Sequence, residues 1–312
     1  VTSLAQPVAA AKRSNALGYG ACALAGALWG TGFYFGKIAL AEMSSNHMVL
    51  WRFVFACVVL TPFALTHGAR LNKKEWRTLL IASFLGIPVQ FLVQFYGLSL
   101  TTVSHASLMV GTMPVILGVG ATVFTKERLD WIGWLALVGS TIGVALIVLG
   151  GTHAQSAKGP TLLGDMLVVL ALIISLAWIL LNKNLMETHS PTLVTAYGVL
   201  SGTAMMIPFV LLVSGPPPVR GVSLKAWLAL AASGVLCTAA TTMLWNWGMH
   251  RVPASRAAVF LNIEPMLGSF LGVQLLGDRL GPFAWFGGGL ILAAAVTLTT
   301  RPAQVMAEGL LE

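Results

Sequence analysis

Ten apolar runs of roughly twenty residues each follow one another along the chain. They lie near 17–41, 47–66, 76–98, 102–125, 131–150, 163–183, 191–213, 225–247, 253–276 and 282–300, with short polar or Gly/Pro-rich joints between them. About 20 helical residues cross a hydrocarbon core some 30 Å thick, so each run is long enough for one transmembrane helix. A transmembrane barrel would show shorter segments of alternating polarity instead. Composition agrees: 57% of the 312 residues are hydrophobic and 9% charged, with a mean hydropathy of +0.84, whereas soluble domains carry about a quarter charged residues. A disordered chain is excluded by the same figures, and three cysteines cannot staple a chain of this size. Cys22, Cys57 and Cys237 all fall inside runs and read as small apolar residues. The expected fold is an all-α polytopic membrane protein of ten helices.

Orientation follows from the cations, which are retained on the cytoplasmic side. With the N-terminus inside, the inner set is Lys12, Arg13, Arg70, Lys73, Lys74, Arg77, Lys126, Arg128, Lys183, Arg251, Arg256 and Arg301, and the outer set is Lys158, Arg220, Lys225 and Arg279. Both termini are expected in the cytoplasm, in a bacterial-type inner (plasma) membrane. The net charge of +8 is then a product of topology, and no basic aromatic tract points to nucleic acid. Lys12 and Arg13 ahead of an apolar run resemble a signal peptide, but the run is too long and lacks a cleavage site, so a retained first helix is expected.

The chain also matches itself when slid by 151 positions. Tyr96-Gly97 then meets Trp247-Gly248, Pro114 meets Pro265, Arg128-Leu129 meets Arg279-Leu280, and Trp134 meets Trp285. At slightly different offsets Trp29 pairs with Trp178 and Pro62 with Pro208. Two five-helix units follow, expected at 17–150 and 163–300, with tails at 1–16 and 301–312 and a periplasmic linker at 151–162. Because five is odd, the second unit must enter the bilayer from the opposite side. Inverted repeats of this kind can exchange conformations, the basis of alternating access, so the expectation is a transporter.

The chain resembles the drug/metabolite transporter (DMT) superfamily, EamA type. The resemblance is carried by Leu28-Trp29-Gly30 with Phe33 and Lys37, by Arg52-Phe53, and by the segment from Tyr96 through Pro114 to Glu127-Arg128-Leu129 and Gly143. Its second copy runs from Trp247 through Glu264-Pro265 to Gly277-Asp278-Arg279-Leu280, with Asp278 where the family has glutamate. The resemblance implies a ten-helix carrier of two repeats, and within the superfamily the likeness is to YddG-type amino-acid exporters. It implies no cofactor.

Candidate site residues come from the faces of the runs. Ser83, Gly86, Gln90, Gln94 and Gly97 recur at three- and four-residue spacing, and their repeat mates are Gly234, Cys237, Thr241, Trp245 and Gly248. Such stripes either border a substrate cavity or pack helices closely. On the fourth and ninth runs Asn262 lies on one small-residue face, and His105, Met109 and Thr112 lie on an adjacent one. Trp29 and Trp178 sit near mid-span in equivalent helices, where they wall a cavity or pack between helices. Pro114 and Pro265, well inside their runs, are candidate hinges. Glu264 is the one carboxylate placed deep in the bilayer and is a candidate coupling residue, unless it merely satisfies backbone groups freed by Pro265. Lys37, Arg52, His105 and Arg256 fall nearer helix ends, as gates or as snorkelling side chains.

A phosphate carrier should hold several cations near mid-membrane, and the sequence places none there. Amides, hydroxyls, Met and aromatics suit small zwitterions with apolar side chains, so amino-acid export is preferred over sugar-phosphate, nucleotide-sugar or cationic-drug antiport. No metal helix, nucleophile turn or paired carboxylates support an intramembrane enzyme, and a channel is the other alternative. The expected partners are a small-molecule substrate and the bilayer. Oligomeric state stays open, since Gly26/Gly30 and Gly32/Gly36 can pack helices within a chain or between chains.

Overall fold

The structure is a computed structural model. It describes residues 5–66, 68, 71–100, 110–111, 113–124, 129–150, 162–276 and 282–300, and side chains for most of them. Among the described residues every regular element is helical. In chain order these are α1 (Ala5–Leu40), α2 (Ser45–Thr66), α3 (Lys73–Phe84, Leu85–Val89 and Gln90–Leu100), α4 (Met113–Phe124) and α5 (Trp131–Gly150). The second set is α6 (Leu162–Leu185), α7 (Pro191–Ser214), α8 (Leu224–Gly234, Val235–Ala240 and Thr241–Met249), α9 (Ala254–Ala257, Ala258–Asn262 and Ile263–Leu276) and α10 (Pro282–Thr300). Among the described residues, five helices are long and apolar enough to cross a membrane, namely α2, α3, α6, α7 and α8.

α1 starts at Ala5, well before the run expected from 17. The segment ahead of that run is rich in alanine, the best helix former, so the helix extends through residues that hydropathy leaves out.

The two halves interlock. α1 packs on α8 and α9, while its repeat mate α6 packs on α3 and α4. α2 and its mate α7 lie side by side and antiparallel: Asn46 Nδ2 donates to Ser214 Oγ at 2.8 Å at one end, and Tyr197 OH donates to the Ala64 carbonyl at 3.1 Å at the other. That antiparallel pairing of equivalent helices is the inversion expected from an odd repeat. α5 and α10 form a pair of their own, close enough that a Cβ on Gly143 would meet the Gly287 carbonyl oxygen at 2.5 Å. Outward faces carry exposed Leu, Phe and Trp, including Trp131 and Trp285 at 70% exposure each. In a membrane these face lipid or the interface.

Caps at the mouths of α3 and α8 are shared between repeats. Asn72 and Glu75 form a reciprocal capping box at the start of α3, and His189, in the α6–α7 turn, sits with Nε2 3.1 Å from Glu75 Oε1. At the start of α8 the cap is Ser223, whose N–H and hydroxyl donate to the two carboxylate oxygens of Glu42 in the α1–α2 turn at 2.7 and 2.6 Å. Each turn between the first two helices of one repeat thus holds the third helix of the other.

Those bonds from the Ser223 side chain and backbone hold the Glu42 carboxyl below the usual carboxylate range, with Lys225 adding a smaller pull. A depressed folded pKa gives stability that is present above the unfolded value and lost as pH falls through the folded value. Thermal stability in detergent should therefore drop on acidification below about pH 4, the ordinary glutamate range. Glu42→Gln should show a flatter profile over that window, and an unchanged profile would refute the linkage.

Candidate substrate site

Two helices that cross the middle of the bundle are broken at repeat-related positions. Leu85–Val89 of α3 and Val235–Ala240 of α8 are wound as π-helix, and they overlay under the same 151-residue shift that aligns the repeats. The causes differ. In α3 the break contains Pro88, which has no N–H to give the α-helical ladder. In α8 no proline is present, and threonine hydroxyls occupy the loosened turn: Thr238 Oγ1 donates to the Ser233 carbonyl at 3.1 Å and Thr241 Oγ1 to the Leu236 carbonyl.

A π turn adds a residue per turn and rotates everything beyond it, so the stripes inferred from regular 3.6-residue spacing do not stay on one face. Gly86 and Gly97 lie on α6, the first against the Trp178 ring and the second against Gly164, whereas Ser83 sits beside Gly198 of α7. On α8, Gly234 lies against α2 at Arg52 and Phe55, and Gly248 against α1 at Gly18 and Cys22. The glycines of both stripes pack helices. The polar members are divided: Gln90 is buried with Oε1 unpartnered, Gln94 is half-buried, and Thr241 is buried with its hydroxyl spent on Leu236.

Arg52 corrects the placement expected for it. It lies near the start of α2, but its side chain reaches the π segment at the middle of α8, where Nε donates to Thr238 Oγ1 at 2.6 Å and Nη2 to the Cys237 carbonyl at 2.7 Å. It is 7% exposed, so it does not snorkel, and the Phe91 ring of α3 lies 5.5 Å below the guanidinium. The bundle centre therefore holds a cation that the hydropathy profile assigned to a helix end.

Glu264 lies on α9 where it packs on α1, beside the residue before Thr31. Its backbone carbonyl lies against Gly30 of α1, and its side chain is half-buried. The carboxylate makes no hydrogen bond among the described residues. Among the described residues it forms no direct ion pair with Arg52. Around them stand Thr31, whose hydroxyl is 3.1 Å from Cys237 Sγ, and Trp29, stacked at a tilt on Trp245 with ring centroids 5.5 Å apart. The Trp245 indole N–H is buried and unpartnered.

Other expected site residues go elsewhere. Asn262 is turned to α5, where its amide donates to Ser140 Oγ and its Oδ1 is unpartnered. Trp178 lies on Gly86, away from the Trp29–Trp245 pair. Arg256 is buried at the start of α9. Pro265 is in the first turn of Ile263–Leu276, directly after a 3-10 segment over Ala258–Asn262, and Pro114 is the second residue of the helix Met113–Phe124. Before Pro265 the winding changes from 3-10 to α-helix. His105, Met109 and Thr112, and the side chains of Lys37 and Pro114, lie outside the described residues.

Sequence reasoning missed Thr238, Phe91 and Thr31 as partners of the centre. One signal was available for Arg52: at the Pro62/Pro208 register its repeat mate is Gly198, and replacing a glycine by an arginine inside an apolar run calls for an acceptor on another helix.

The EamA-like transporter family matches residues 16–149 and again 162–300. The chain is 25% identical over 275 residues to an uncharacterized transporter of Archaeoglobus fulgidus, covering 88% of this chain and 93% of that one. It is 24% identical over 263 residues to the uncharacterized transporter YetK of Bacillus subtilis, covering 83% and 80%. A solved crystal structure superposes with a TM-score of 0.75 at 17% identity over 92% of this chain and 96% of the other, a likeness of fold alone.

Proposed function

The chain belongs to the EamA-like transporter family, a membrane carrier and not an enzyme, and from that premise we propose that it exports amino acids, aromatic and other apolar ones included. The movement is alternating access between two inverted repeats. One observation supports the substrate class: among the described residues one buried cation, Arg52, and one carboxylate, Glu264, are joined through Cys237, Thr31 and Gly30, beside the Trp29–Trp245 pair. The fixed charge there sums to zero, which suits a solute of zero net charge bearing both signs. A phosphorylated sugar would call for clustered cations instead. The cation asymmetry along the sequence supports cytoplasmic termini in a bacterial-type inner membrane.

The test is counterflow in proteoliposomes. Labelled phenylalanine or leucine should exchange saturably against unlabelled amino acid inside the vesicle, and cells expressing the protein should release amino acids faster than cells without it. Movement of nucleotide sugars or organic cations with no movement of any amino acid would overturn the substrate class. Linear, non-saturating flux would overturn the carrier mechanism.

A further inference from the structure

We propose that Arg52 and Glu264 form a two-point clamp for a zwitterion, the solute's carboxylate on the open edge of the guanidinium and its ammonium on the Glu264 carboxylate. This deepens the amino-acid reading above and rests on it. A guanidinium carries five N–H donors. Two are spent, on Thr238 Oγ1 and the Cys237 carbonyl, and no acceptor among the described residues takes the others. The spent pair and the Phe91 ring fix the plane of the group, so its remaining donors have a set direction before any solute arrives. A buried cation with unspent donors is costly, and a carboxylate ligand removes that cost.

Glu264 is the complementary half. It has no hydrogen-bond partner among the described residues, and its backbone carbonyl lies on Gly30, next to Thr31, whose hydroxyl touches the Cys237 that Arg52 holds, with no ion pair between the two charges. Two opposite charges held apart in a low-dielectric centre are both satisfied by a molecule that carries an anion and a cation about one carbon apart. A simple acid or a simple amine satisfies one of them and leaves the other bare, which is the arrangement that discriminates most strongly. The Trp29–Trp245 pair is joined to this centre through α1 and α8: Thr31, two residues beyond Trp29, touches Cys237. It offers apolar area and one unpartnered indole N–H to the rest of the solute.

The experiment is competition against phenylalanine counterflow by three probes, phenylalanine itself, phenethylamine, which lacks the carboxylate, and 3-phenylpropanoate, which lacks the ammonium. In the wild type each half-molecule should compete about tenfold or more weakly than phenylalanine, the loss expected for one charged hydrogen-bonded contact. Arg52→Gln should weaken phenylalanine until it equals phenethylamine, leaving phenethylamine unchanged. Glu264→Gln should bring phenylalanine down to 3-phenylpropanoate. Because Arg52 is anchored to α8, its glutamine variant risks misfolding, so Arg52→Lys is run beside it. Lysine keeps the charge but lacks the planar fork, and it should lose carboxylate discrimination in part while quenching of tryptophan fluorescence still reports binding. Equal weakening of all three probes in every variant would overturn the clamp while leaving amino-acid transport standing. A wild type that moves no amino acid would overturn the reading beneath it and the clamp together.

Discussion

Gly26→Ala is expected to destabilise the protein by about 1–3 kcal/mol and to abolish most of its flux, whereas Gly20→Ala on the same helix leaves both intact or gains stability. Alanine in place of glycine inside a helix ordinarily gains about 0.5–1 kcal/mol through propensity. At Gly20 nothing lies within 4 Å of the new methyl, so that gain is free to appear. At Gly26 the methyl runs into the carbonyl oxygen of Phe260, with the carbonyl carbon at 3.3 Å and Ile263 Cβ at 3.4 Å. A backbone carbonyl cannot rotate aside as a side chain can, so the helices must separate, and overpacking of this kind costs about 1–3 kcal/mol. One turn further, Gly30 meets the Glu264 carbonyl oxygen and Leu267 in the same way, so separating α1 from α9 also pulls Trp29 and Thr31 away from Glu264. Thermal unfolding in detergent, followed by reaction of the buried Cys22 and Cys237 thiols, measures the first effect, and counterflow measures the second. Parallel behaviour of the two alanine variants would show that α1 does not seat on α9 through these glycines.

Gly86→Ala should reduce flux about tenfold and lower the melting temperature, and Trp178→Leu in the same background should restore much of both. The added methyl falls on the inner atoms of the Trp178 indole, next to its own Cβ, so the ring cannot swing clear without leaving its site. Gly86 is also in the π segment of α3, where a shifted backbone changes how the helix continues past Pro88. Leucine at 178 removes the ring and makes room. The two substitutions share one contact, so their effects should depart from additivity by about 1 kcal/mol or more. Strict additivity would mean that Trp178 moves freely and that the close approach carries no energy.

The fold was legible because hydropathy and repetition are both coarse signals. Twenty apolar residues read the same whichever helix lies beside them, and a Pro, a Trp and an acidic-Arg-Leu turn in one register declare a repeat without any knowledge of packing. Gly26 and Gly30 were legible as a close-packing pair, and the structure assigns them a partner inside the chain, α9. The site was less legible for two reasons. The first is winding: spacing rules assume 3.6 residues per turn, and the π segments of α3 and α8 break that assumption in the helices that matter most. Pro88 announced one break, but nothing comparable marks Val235–Ala240. The second is reach. Arg52 counts by sequence as a residue near a helix end, yet a long side chain delivers its charge to a different depth from its Cα, and only the acceptors on α8 reveal where.

The two π segments differ in what would be needed to mend them. The α3 break contains a residue with no N–H, so no motion can restore the missing bond. The α8 turn is occupied by hydroxyls and by Arg52, all of which can let go, so its ladder can close into ordinary α-helix and reopen. One half of the molecule has a fixed bend and the other a reversible one. The two repeats are therefore not equivalent in how their central helices can rewind, however closely their sequences correspond.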